Sequence, residues 1–278
     1  MDKRKVIFYS DELNDDFSVK QIKPKRIDGN YKYCNDSFLG KTAHFFWYRM
    51  IFTPIAFFYN KSVFAHKIKG NNILKGFKDE GYFLYGNHTQ AVGDAFMPSF
   101  INMPKHNYVI VHPANVSIPI LGRITPALGA LPLPDDMRAY KEFLSVIEQR
   151  IREKNGIIIY PEAHVWPYYT KIRPFTDDSF YYPVKLCAPS FCFTNTYQKR
   201  RFSGNPRIVT YVDGPFYPDT SLPPKERRQE LRDRIYKTMC VRAQSSSVEQ
   251  IKYVKCDKIR KERNQNDQRS VLRKQNDV

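Results

Sequence analysis

A histidine and an aspartate stand close together in Tyr82–Pro98, which reads YFLYGNHTQAVGDAFMP. An apolar run, Tyr82–Tyr85, leads directly into the polar knot Asn87, His88, Thr89 and Gln90, and Gly93 and Asp94 follow. An imidazole takes up a proton near neutral pH, and a carboxylate on its other nitrogen fixes the tautomer and steadies the imidazolium. His88 and Asp94 are therefore the candidate catalytic pair, base and orienter. No Ser or Cys lies in a nucleophile-elbow context that would complete a triad. The nucleophile is then the acceptor itself, a hydroxyl that His88 deprotonates.

The order Gly-Asn-His followed by Asp resembles the glycerolipid acyltransferase superfamily, the 1-acylglycerol-3-phosphate acyltransferases, whose signature is Asn-His, four residues, then Asp. Gly156–His164 (GIIIYPEAH) resembles that family's strand ending in Phe-Pro-Glu-Gly, and Leu128–Leu133 (LGALPL) stands where the family has Gly-x-Ile-Phe-Ile. Tyr182–Pro189 and Val212–Phe216 resemble its later Pro-containing strands. The likeness covers roughly Gly81 to Phe216, about half of the chain. It implies an O-acyltransferase that moves a fatty acyl group from acyl-coenzyme A or acyl carrier protein to a lysophospholipid or related glycerolipid. It also implies Asn87, Thr89, Arg123, Glu162 and Arg173 as substrate-binding residues. The chemistry calls for no metal or prosthetic group.

Two departures qualify the resemblance. Five residues, not four, separate His88 from Asp94. At about 100° per residue, positions six apart on a regular helix point away from each other. The pair can meet only if the loop is irregular, and Gly93 is the residue expected to take a left-handed or bulged conformation. Otherwise Asp94 caps the following helix. The second departure concerns the acceptor: Pro134–Asp135 and His164–Val165–Trp166 stand where the family places phosphate-binding arginines. Arg123, Arg138, Lys171 and Arg173 lie near enough in sequence to substitute.

The elements that must position these residues form an α/β fold: a mixed, largely parallel sheet flanked by helices, with an N-terminal apolar helical segment. Strands are expected at Tyr82–Tyr85, Tyr108–His112, Ile157–Tyr160, Phe191–Asn195 and Ile208–Val212. The continuous apolar run IIIY is the kind buried on both faces of a parallel sheet, and Glu162 just beyond it should share an edge with His88. His112, at the end of its strand, reads as structural. Helices are expected over Ala95–Asn102, in short form over Ile118–Leu128, and over Asp135–Glu153, where Met137, Tyr140, Phe143, Leu144, Ile147 and Ile151 repeat at helical steps. Pro223 and Pro224 open another that runs through Met239. Trp166, Pro167, Tyr168 and Tyr169 either line a lipid channel or cover the core.

Three regions follow: an N-terminal arm and membrane-contacting segment, 1–70; the acyltransferase domain, 71–242; and a basic polar tail, 243–278. In the first, Phe45–Tyr59 (FFWYRMIFTPIAFFY) is apolar or aromatic at nearly every position. It falls short of the ~20 residues that cross a bilayer. Its aromatics and the flanking Lys41, Lys61 and Lys67 suit a segment lying among headgroups; the alternative is a buried helix kinked at Pro54. Of Pro223–Val278, 16 residues are Lys or Arg and 8 are Asp or Glu. That end reads as a solvated helix, a disordered tail or a strap against anionic lipid.

The formal charge of +17 draws such a chain to polyanions. An anionic membrane surface is the expected partner. A nucleic-acid-binding module would also use the charge and the 15% aromatic content, yet no recognised motif is present and the basic residues cluster away from His88. A lipid-binding relative without catalysis is the other alternative. Five scattered cysteines form no disulfide framework, and Met1–Asp16 has no apolar run that would make a secretory signal. The expected location is the cytoplasmic face of a membrane, peripheral or monotopic.

Overall fold

The protein is described by a computed structural model covering residues 4–17, 22–33, 42, 46–90, 92–119, 121–201 and 203–257. Its centre is a seven-stranded sheet. In chain order the described elements begin with β1 (Lys5–Tyr9), α1 (Thr53–Phe64), β2 (Lys67–Lys69) and β3 (Tyr82–Gly86). There follow α2 (Gly93–Ile101), β4 (Asn107–Val111), β5 (Ala130–Pro132), α3 (Met137–Arg152) and β6 (Gly156–Ile159). The last are α4 (Tyr181–Leu186), β7 (Ser190–Gln198), β8 (Arg207–Phe216), α5 (Pro224–Ala243) and β9 (Ile251–Lys255).

The sheet runs β2-β8-β7-β3-β6-β4-β5. Every neighbouring pair is parallel except β7–β8. The sheet is thus mixed and largely parallel, with β3 and β6 at its middle and apolar side chains on both faces, as a doubly covered sheet demands. Strand alternation divides those side chains cleanly. Phe83, Tyr85, Ile157 and Ile159 pack under α3 through Phe143 and Ile147, and under α5 through Leu231, Ile235 and Met239. Tyr82, Leu84 and Ile158 face the other way, toward Met97 and Ile101 of α2 and Phe64 of α1.

The long helix α3 starts where its sequence says it should. Asp136 is the N-cap, its Oδ1 accepting from Ala139 N at 2.8 Å, which satisfies one of the free amides of the first turn. That bond holds the Asp136 carboxyl below the usual range. Tyr182–Pro189, likened above to a strand, is instead helix α4 with Cys187 in a left-handed conformation behind it. The stretch packs Tyr182 on Phe143 and Phe83, and β7 begins only at Ser190.

Two further regions take definite form. Phe46–Phe52 is a π-helical stretch running into α1, with Pro54 in the first turn of α1 rather than at a kink. One side of this segment packs on the core: Tyr48 is buried and shares a hydrogen bond with Ser99 Oγ at 3.0 Å, and the rings of Phe52 and Tyr59 pack at a tilt against Phe96. The other side exposes Phe46, Trp47, Met50, Ile55, Phe57 and Phe58, the last at 67%. Among the described residues no helix is long and apolar enough to cross a membrane. Phe45 and residues 258–278 lie outside the described residues. Within the described part of 243–257, β9 pairs in parallel with β1 in a second, two-stranded sheet.

Candidate active site

His88 sits two residues beyond the carboxyl end of β3, where the chain has left the sheet but α2 has not begun. Its Nδ1 lies 2.7 Å from Asp94 Oδ2. The same carboxylate oxygen accepts Gln90 N–H at 2.8 Å, and Asp94 N donates to Gln90 O at 3.0 Å. The structure therefore brings His88 and Asp94 together, but not by the expected route. Gly93 opens α2 in an ordinary conformation with no positive φ, and the irregularity lies in the segment ahead of it. The helical-wheel conflict disappears because only Asp94 is on the helix. A Cβ at position 93 would meet Gln90 Cβ at 3.0 Å, so glycine serves there by letting the loop lie close. Nor is Asp94 the N-cap of α2; that position is Val92, without a side-chain bond.

Asp94 is nearly sealed while the His88 side chain keeps 20% of its surface. With Nδ1–H donated to the carboxylate, Nε2 carries the lone pair, and it has no partner among the described residues. Tyr160, immediately after β6, lies on the imidazole with ring centroids 4.7 Å apart and planes 24° apart. Its hydroxyl donates to Asp94 O at 2.6 Å. Burial pushes the Tyr160 phenol well above its usual pKa, with the Asp94 charge adding to the effect, so it stays protonated and able to donate.

The main chain around His88 is fixed from three sides. Glu162 Oε2 accepts His88 N–H at 3.0 Å, and Trp166 N donates to His88 O at 3.1 Å. On the other flank, the Asn87 side chain spans β7: its Nδ2 donates to Asn195 O at 3.1 Å and its Oδ1 accepts Asn195 N–H at 2.8 Å. Thr89 Oγ1 accepts from Tyr197 Oη at 2.7 Å, while Gln90 Nε2 donates to that same phenol at 3.0 Å. Asn195 Oδ1 in turn accepts from Thr210 Oγ1 at 2.5 Å, and Thr210 meets His66 Nε2 at 2.6 Å.

These contacts change what four expected substrate-binding residues do. Asn87, Thr89, Glu162 and Arg173 are all buried and hydrogen-bonded inside the protein, with Arg173 Nε left without a hydrogen-bond partner among the described residues. Arg173 is the sharpest correction. Its side chain has no exposed surface, its guanidinium lies 4.9 Å over Trp166, and it donates to the carbonyls of Glu162, His164 and Glu12. Glu162 Oε1 accepts Arg173 N–H at 2.9 Å. Burial pushes the Glu162 carboxyl up, opposed by the Arg173 charge and the amides of His88 and Arg173. A guanidinium so enclosed has no face left for an acceptor phosphate. The pair knits the loop after β6 to the N-terminal arm and, through Glu162, holds His88.

The side chain of Arg123 lies outside the described residues. His112 caps the helical turn Pro113–Val116, its Nδ1 accepting Ala114 N–H at 3.2 Å, in keeping with a structural histidine. The aromatic patch after Glu162 is core rather than channel: Trp166 is fully buried, stacks on Tyr253 of β9 and donates to Asp15 O at 2.7 Å. Gln90 stands in the polar knot without an assigned role, and Tyr160, Asn195 and Tyr197 were not singled out as site residues in the sequence. Only Tyr160 carried a hint, as the neighbour of the Pro-Glu pair at a strand end.

No protein-family model and no curated protein matches the chain. Among solved structures, it is similar to the crystal structure of the 1-acyl-sn-glycerophosphate (LPA) acyltransferase PlsC from Thermotoga maritima. The two are 15% identical, the match covers 72% of this chain and 78% of that one, and the TM-score is 0.48.

Proposed function

We propose that this chain is an O-acyltransferase that moves a fatty acyl group from an acyl thioester to a hydroxyl of a lysophospholipid or related glycerolipid. One observation carries the reading: a buried carboxylate holds Nδ1 of a partly exposed histidine whose Nε2 is unpartnered, at the carboxyl edge of a largely parallel sheet. The acceptor hydroxyl gives its proton to His88 Nε2 as its oxygen attacks the thioester carbonyl. The tetrahedral intermediate then collapses, the C–S bond breaks, and the imidazolium returns the proton to the departing thiolate. Asp94 steadies the imidazolium in between. No residue of the chain is acylated, and no metal or prosthetic group is needed.

The acceptor is not read through Arg173, since that group is enclosed. The substrate lipid reaches the enzyme at a membrane surface. The exposed aromatic and aliphatic face of Phe46–Phe58, with Lys61 and Lys67 beside it, supports peripheral attachment to anionic lipid, at the cytoplasmic side.

The test is transfer of a radiolabelled acyl group from acyl-coenzyme A and from acyl carrier protein into a panel of lysolipids and glycolipids. His88→Ala should lower the rate by at least about 100-fold with folding intact, the usual cost of a lost general base. Asp94→Asn should also be severe. A His88→Ala enzyme within a few-fold of the parent would remove His88 from the chemistry.

A further inference from the structure

An open groove of about 900 Å³ lies between the N-terminal arm and the loop after β4. Lys23, Lys25 and Lys32 rim it from the arm together with Tyr31, and Val116 and Ser117 form part of the facing wall. None of the three lysines has an ion pair among the described residues; Lys25 Nζ lies 5.2 Å over the Tyr31 ring. Like charges around one concavity repel and focus a positive field into it. Three carboxylates of the arm and of the α3 entrance are already engaged with backbone. Asp28 accepts Asn30 N–H, Asp135 accepts Ile27 N–H, and Asp136 accepts the amides of Ala139 and Gly29.

The arm is anchored rather than draped. Lys25 N donates to Ser117 Oγ at 2.8 Å, and Ser117 Oγ donates to Pro113 O at 2.8 Å. Ile27 and Asp135 are joined twice: Ile27 N to Asp135 Oδ2 at 2.6 Å, and Asp135 N to Ile27 O at 2.9 Å. The middle of the arm, at Lys25 and Ile27, is thus fixed before any ligand arrives, which reduces the ordering cost of binding.

Position points to one ligand class. The loop after β4 leaves the sheet at the same carboxyl edge as His88, and β4 is two ladder steps from β3, roughly 10 Å away at the usual strand spacing. A hydroxyl and a phosphate on neighbouring carbons of one glycerol are closer together than that. The phosphates of a thioester carrier, separated from the sulfur by an extended arm, reach it, and the half-buried ring of Tyr31 offers a stacking surface for a base. We infer that this groove holds the phosphates and base of a nucleotide-bearing thioester donor. The inference rests on the acyl-transfer reading for its purpose, while its test reads binding alone.

Calorimetry on the full chain would compare coenzyme A, adenosine 3′,5′-bisphosphate, pantetheine and glycerol 3-phosphate. Coenzyme A and the bisphosphate should bind and compete, with pantetheine and glycerol 3-phosphate much weaker. The triple variant Lys23→Ala/Lys25→Ala/Lys32→Ala should lose at least about tenfold in affinity for the bisphosphate, consistent with several charge-assisted contacts. A control with the same charge change, Lys75→Ala/Lys185→Ala/Lys225→Ala, should bind as the parent does. Equal losses in both triples would reduce the effect to diffuse charge and overturn the site. So would pantetheine binding as tightly as coenzyme A, no binding of the bisphosphate, or preference for glycerol 3-phosphate. His88→Ala should keep full bisphosphate affinity, so groove and chemistry can fail separately.

Discussion

Tyr160 lies against His88 with ring centroids 4.7 Å apart and places its hydroxyl 2.6 Å from the carbonyl oxygen of Asp94. One side chain therefore touches both members of the dyad, the imidazole by its face and the helix carrying the carboxylate by its hydroxyl. Tyr160→Phe keeps the ring and loses a single hydrogen bond, worth about 1 kcal/mol; kcat should fall only about fivefold. Tyr160→Leu frees the imidazole to rotate and should lower kcat by tenfold or more, as roughly expected for a misplaced base. Steady-state kinetics on the two variants check this, with KM for both substrates holding near the parent value. A leucine variant with parental kcat would reduce Tyr160 to core packing.

Arg173→Met would leave the Glu162 carboxylate buried without its charge partner. Breaking such a pair typically costs 3–5 kcal/mol, whereas replacing both members with matched uncharged groups costs far less. Denaturant unfolding should show a loss of about that size in Arg173→Met and partial recovery in Arg173→Met/Glu162→Gln. Were Arg173 a phosphate ligand instead, the single variant would fold as the parent does and show only a raised acceptor KM.

His66 is buried between Asn60 and Thr210. Burial, helped by the nearby Lys61 charge, pushes its pKa down to about 3. The unfolded chain takes the proton first, near pH 6.5. The stability contributed by the neutral ring is therefore complete above that pH and declines as pH falls from 6.5 toward 3, by up to about 1.4 kcal/mol per unit. Urea unfolding at pH 7.5, 6 and 5 should show a steeper loss for the parent than for His66→Gln. Parallel pH curves would mean that His66 is protonated in the fold without penalty.

The apolar face of Phe46–Phe58 should carry membrane attachment. Sedimentation with phosphatidylglycerol vesicles should lose at least about tenfold in partitioning for Met50→Asp/Phe58→Asp, since burying each such side chain contributes about 1.5–3 kcal/mol. Added salt should weaken the parent's attachment only partly, because the apolar share is not screened. Unchanged partitioning by the double variant would assign attachment to charge alone.

Period and burial made the sheet and the long helices legible. The apolar runs at Tyr82 and Ile157 and the three- and four-residue repeat before Asn155 describe the core without reference to anything distant. The His88–Asp94 pairing was legible as residue types but not as geometry, because a helical wheel applies only after the helix starts, and it starts five residues past His88. The burial of Arg173 was hidden for another reason: its partners include the carbonyl of Glu12, 161 residues away. The β1–β9 pair is more remote still, joining Lys5 to Ile251, and each strand is a five-residue run, KVIFY and IKYVK, too short to signal its pairing from local pattern.

The Asn87 amide completes a rung that the β3 backbone no longer supplies. Beyond Gly86, opposite Phe193, a side chain satisfies both the N–H and the carbonyl of Asn195. The chain can thus turn away toward Glu162 without orphaning a buried pair on β7. Release of the reactive loop from the strand beside it consequently frees the Asn195 N–H. In deuterated water, the exchange of a single amide proton, that of Asn195, becomes a clock for how often the His88 loop lets go of the sheet.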